Sequence, residues 1–95
     1  MTQKPTRMAF ILVRFPRGSR ALLDVISAMS KFEPLLLGSL QVPDPESEDS
    51  VFGIVVKANT DQLGALTGSL GKIPGVEVKS AVLPMEEKND SKNAS

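Results

Sequence analysis

One internal match constrains this chain more than any other feature. A shift of 41 residues lays its first half on its second. Ser19 falls on Thr60, Leu22 on Leu63, Val25 on Leu66 and Met29 on Leu70. Further along, Phe32 falls on Ile73, Leu35 on Val76, Leu37 on Val78 and Ser39 on Ser80. A possible helix cap, an apolar stripe at i, i+3 and i+7, and a following apolar segment therefore occur twice with one period. With 95 residues the chain has room for one domain and a small core. Two strand–helix–strand units of equal length, joined by short connections, leave few topologies open.

The local patterns fill in the elements. Residues 8–15 are apolar at both alternating sets of positions and stop at Pro16, Arg17 and Gly18, which predicts a strand with both faces buried. Residues 19–32 follow as a helix with Ser19 as its cap and Leu22, Val25, Ile26 and Met29 as its stripe. Residues 35–42 are a second apolar strand. The hydrophilic stretch 43–50, with two prolines and four acids, is an exposed connection. Residues 51–58 form a third strand. Asn59 or Thr60 caps a second helix to about Lys72, and 76–83 form the last strand, with Val76, Val78 and Val82 on one face. Residues 1–7 and 84–95 are polar and read as disordered ends around a domain at 8–83.

The fold class that follows is α+β: a ferredoxin-like βαββαβ sandwich, with a four-stranded antiparallel sheet and two helices on one face. Strands one and three lie at its centre. They are the two segments apolar on both sides, so the face away from the helices exposes more apolar surface than a monomer usually carries. A homo-oligomer, most simply a dimer, is the expected consequence.

Composition bears mainly on what the chain cannot do. It contains no His and no Cys. That removes His general bases, Cys nucleophiles and the usual ligand sets for zinc, iron–sulfur clusters and haem. No metal site, cofactor or catalytic residue is expected. The acidic turn at 44–49 lacks the ligand spacing and central Gly of a calcium loop. Lysines and arginines balance aspartates and glutamates at 11 each, and Trp and Tyr are absent, which argues against nucleic acid as a direct partner. No apolar run is long enough for a membrane span, and residues 8–13 are too short for a signal peptide's apolar core, so a cytoplasmic location is expected.

Two features carry candidate sites. Arg14, Arg17, Gly18, Ser19 and Arg20 surround the start of the first helix, where free N–H groups and a partial positive charge favour a carboxylate or phosphate. The alternative reading is a solvated basic loop; a catalytic phosphate loop would need a motif that is missing here. Gly64, Gly68 and Gly71 fall at i, i+4 and i+7 of the second helix. Each costs roughly 1 kcal/mol against Ala, which suggests close approach of the neighbouring helix, a ligand or a partner backbone.

The segment TDQLGALTGSLGKIPGVEVKSAVL, residues 60–83, resembles the C-terminal half of the iron-only hydrogenase system regulators. The likeness is carried by Leu63 through Gly68, by Leu70 and Gly71, by Pro74 through Val76, and by Val78 through Ala81. That family is similar to ACT domains and to the C-terminal domain of nickel-responsive repressors. The resemblance implies an ACT-like fold, a dimer or higher assembly and a regulatory role, with amino-acid binding near the loop after the first strand. A protein partner is a second possibility, through the apolar sheet face or a sheet edge. Two segments depart from the family pattern: Gly-Arg-Met-Gly reads Gly38–Ser39–Leu40–Gln41, and Gly-Lys-Leu-Gly reads Gly68–Ser69–Leu70–Gly71. Each change removes a cation and with it one hold on a shared anionic ligand. Nickel binding is excluded by the missing His and Cys. About seven residues before the first strand are too few for a DNA-binding arm.

Overall fold

The computed structural model describes residues 5–84. The ends expected to be disordered lie, at 1–4 and 85–95, outside the described residues. Arg7 belongs to the first strand rather than to a frayed start. The elements run β1 (Arg7–Pro16), α1 (Ala21–Ser30), a single 3-10 turn (Glu33–Leu35), β2 (Leu36–Pro43), β3 (Asp49–Ala58), α2 (Thr60–Gly71) and β4 (Glu77–Val82). The sheet order is β2-β3-β1-β4, antiparallel throughout, with β1 and β3 central as the apolar pattern requires. No helix among the described residues is long and apolar enough to cross a membrane.

The 41-residue period holds in the packing. Ala9 and Ser50, Ile11 and Phe52, Val13 and Ile54, and Phe15 and Val56 are period-related pairs, and all eight are buried. So are Val25 with Leu66 and Met29 with Leu70, one set from each helix. All of them but Ser50 belong to one apolar core between the sheet and the two helices. Burial of this apolar layer is what stabilises a domain without disulfides.

α1 is shorter than its sequence pattern, for reasons visible at both ends. Ser19 donates to the Pro16 carbonyl at 2.7 Å and accepts from the Ala21 N–H at 3.2 Å, so it holds the preceding turn while Arg20 takes the cap position. At the other end Pro34 removes a backbone donor, and the chain tightens into the 3-10 turn. The buried stripe is Ala21, Val25 and Met29, with Leu22 and Ala28 beside it. Ile26, expected in that stripe, lies one helical step past Val25 and is 47% exposed. α2 starts with a capping box: the Asn59 side chain accepts from the Gln62 N–H at 2.8 Å, and the Gln62 side chain accepts from the Asn59 N–H at 2.9 Å.

The glycine stripe departs from expectation. All three glycines of α2 are exposed, and a methyl group at Gly64, Gly68 or Gly71 would meet nothing within 4 Å. Among the described residues neither helix α1 nor any other element approaches them. Gly68→Ala should therefore stabilise the domain by roughly 0.5–1 kcal/mol through helix propensity alone. Urea denaturation would show the gain; a loss would mean that the stripe is packed against something in solution.

The expectation that β1 is buried on both faces is corrected as well. One face is fully covered by the helices. On the other, Met8, Phe10 and Leu12 remain 36%, 40% and 42% exposed, because no element among the described residues covers them.

Candidate functional site

The loop between β1 and α1 holds the expected cationic residues, and the structure separates them. Gly18 turns the chain with φ of +76°, a conformation that favours glycine. Arg17 donates from its guanidinium to the Ser47 carbonyl at 2.9 Å, and its backbone N–H donates to the Glu48 carbonyl at 2.8 Å. It thereby clips the loop to the acidic β2–β3 turn. Arg20 points to solvent, 4.0 Å from Asp24 one helical turn on. Arg14, two places before Pro16 on β1, lies on the opposite, open face of the sheet. It sits among three carboxylates: Asp49 at 3.5 Å, Glu77 at 3.7 Å and Asp44 at 3.9 Å. The Asp44 carboxyl is held below its ordinary pKa, first by the Glu46 N–H that donates to it at 2.9 Å. The Ser47 hydroxyl and the charges of Arg14 and Arg17 act in the same direction. This end of the sheet is therefore net acidic around Arg14, and the three arginines do not converge on one point.

The open sheet face is the more continuous feature. Strand register brings Phe10 opposite Val55 and Ala81, Leu12 opposite Gly53 and Lys79, and Leu40 opposite Gly53. Phe10 lies across Gly53: a methyl group there would stand 2.8 Å from the end of the ring and 3.9 Å from Leu40. Gly53 thus lets an aromatic ring settle onto the backbone of a central strand and flattens the middle of the face. Beside the ring, Met8, Phe10, Val55, Ala81 and Leu83 line an apolar hollow of about 270 Å³. Met8, Phe10, Leu12, Leu40, Val42 and Leu83 are between 36% and 60% exposed. Such a patch on one chain is characteristic of an interaction surface.

A second concavity, of about 300 Å³, opens between the start of α2 and β4. It includes Arg7, Thr60, Gly64, Thr67 and Ser80. No local motif joins these residues, and only the packing of α2 beside β4 brings them together. Thr67 is already committed to the Leu63 carbonyl at 3.0 Å.

Comparison with known families matches residues 7–80 to the TM1266-like family, described as "Iron-only hydrogenase system regulator, putative". The chain belongs to this family. Among solved structures, the uncharacterized protein TM1266 from Thermotoga maritima superposes with a TM-score of 0.78 at 28% identity, over 83% of this chain and 99% of that one. The ACT domain from the GTP pyrophosphokinase of Chlorobium tepidum gives 0.67 at 19% identity, over 80% and 99%. The C-terminal domain of the MgtC protein from Mycobacterium tuberculosis gives 0.66 at 16%, over 86% and 93%. At these identities the last two bear on the fold alone, and the Chlorobium domain marks it as ACT-like. No curated protein matches the chain.

Within the TM1266-like fold, the two departures from the family pattern fall on different elements. Ser39 is on the edge strand β2, paired with Ile54, and Ser69 is in the last turn of α2. Neither belongs to the β1–α1 loop or to the centre of the open face.

Proposed function

We propose that this TM1266-like protein is a non-catalytic regulatory module that works by protein contact through the open face of its sheet. The observation that carries this reading is the apolar row Phe10, Leu12 and Leu40, levelled by Gly53 and left uncovered by the chain's own helices. The regulatory description of the family and the ACT-like fold support it. A photo-crosslinking residue at position 12 is expected to form adducts under native conditions. The same residue at position 23, more exposed still but on the helix side, is expected to form none. Equal labelling from both positions would remove the case for the open face.

A second reading assigns the β1–α1 loop, with Arg17, Gly18, Ser19 and Arg20, to a small anionic ligand such as an amino acid. The turn at Gly18 and the solvent-facing Arg20 favour it. The contact reading expects no melting-temperature change with amino acids, nucleotides or inorganic phosphate. A rise that disappears in Arg20→Ala would establish the loop as a sensor instead; Arg20 is the better probe because Arg17 also holds the acidic turn.

A further inference from the structure

The open face has a polarity along its strands. Register places Met8 beside Lys57 at one end, then the Phe10 and Leu12 rows, then Arg14 with Val51 and Glu77, then Pro16 with Asp49. Asp44 joins Asp49 and Glu77 around Arg14, so three carboxylates face one guanidinium at that end. Lys57 stands at the other. β1 and β3 have ten residues each, β2 eight and β4 six, so at ~3.3 Å per residue and ~4.8 Å between strands the plane between the two ends is on the order of 540 Å² before side-chain relief. A standard interface takes about 800 Å² per partner, so a dimer on this face uses its whole extent and the relief of its side chains.

We infer that the occupant of this face is a second copy of the chain, packed sheet to sheet with its strands running antiparallel to the first. The inference rests on the contact reading above and adds the partner and its orientation. A twofold axis along the strands would lay acidic end over acidic end and is opposed by charge. A twofold axis across the strands lays each acidic end over the Lys57 end of its mate. β3 then lies over β3, with Lys57 of one copy facing Asp49 of the other. Leu12 and Leu40 lie at the axis, next to the glycine notch. Arg14 of one copy comes over the Phe10 ring of the other, a cation–π arrangement. Lys79, on the edge strand, meets its own mate at the rim, where Glu77 two residues away offsets it. Edge-to-edge pairing is less favourable on the β2 side, where the strand carries a register shift between Leu36 and Gly38 and ends at Pro43.

Sedimentation equilibrium at tens of micromolar tests the inference. The wild-type chain is expected to be a dimer, and Leu12→Arg a folded monomer by circular dichroism. Lys57→Glu alone and Asp49→Lys alone should each weaken the dimer roughly tenfold at low salt, since each contact occurs twice. The double variant should recover most of the loss. A dimer that ignores both single charge reversals, or a double variant as weak as either single, overturns the antiparallel arrangement. A wild-type monomer whose position-12 crosslink joins a different protein overturns the second copy and leaves the contact reading standing. A wild-type monomer with no adduct from position 12 overturns both.

Discussion

Val13→Arg is expected to abolish folding, whereas Leu12→Arg, one position earlier, is expected to leave the isolated protomer folded. The two residues are neighbours on β1 and differ only in the face they serve. Val13 is fully buried, opposite Phe52 on β3 and Val78 on β4. A guanidinium there would lose its hydration and find no carboxylate, a cost of several kcal/mol. A domain of this size has roughly 5–15 kcal/mol of stability in total. Leu12 points away from the helices and is 42% exposed, so an arginine in its place keeps its charge in water. Far-UV circular dichroism and thermal melts in dilute solution would show the contrast. A Val13→Arg protein that melts near the wild-type temperature would mean that the helices do not cover the face assigned to them.

That contrast is also where the sequence alone reached its limit. Residues 8–15 are apolar at every position except Arg14, so alternation could not tell the face under the helices from the other. The period of 41 could have helped. Ala9, Ile11, Val13 and Phe15 fall on Ser50, Phe52, Ile54 and Val56, and that odd-numbered set of β1 is the buried one. On the outer set the period pairs Phe10 with Val51 and Leu12 with Gly53, where apolar bulk is not kept in step. The strand order, both helices and the unpartnered face were legible because they follow from the repeat and from short connections. The orientation of α1 was legible only to within one step, since Ala21 and Ile26 compete for the same stripe and a small residue at a close contact leaves no signal in hydrophobicity.

The candidate loop shows a different limit. Arg14, Arg17 and Arg20 are close in sequence, and a loop at a helix start makes them look convergent. A strand changes the side a residue faces at every step, while the turn and helix that follow reorient the chain again. Arg14 ends on the open face and Arg20 beside α1. The groups that decide what Arg14 does, Asp44, Asp49 and Glu77, arrive from two other strands and a turn. The nesting of Phe10 on Gly53 has the same character. Register must be known before a glycine 43 positions away can be read as a seat for an aromatic ring.

The largest loss from removing apolar bulk alone is expected at Phe15. Its ring is 1% exposed, and its centroid lies 5.7 Å from that of Phe52 at an interplanar angle of 30°. This is the tilted geometry in which aromatic edges and faces attract. Phe15→Ala removes the ring from the end of the core nearest the β1–α1 loop and takes away the partner of the Phe52 ring. The expected cost is about 4 kcal/mol, and the melting temperature should fall by roughly 20 °C. Phe10→Ala provides the comparison: the same atoms are removed from a ring that is 40% exposed, so the loss for the isolated protomer should be well under half as large. A double-mutant cycle with Phe15→Leu and Phe52→Leu should return a coupling of about 0.5–1.5 kcal/mol. If Phe15→Ala cost no more than Phe10→Ala, the two faces of β1 would be energetically alike, and the open face would have to be covered by an equally well-packed partner before the chain could fold.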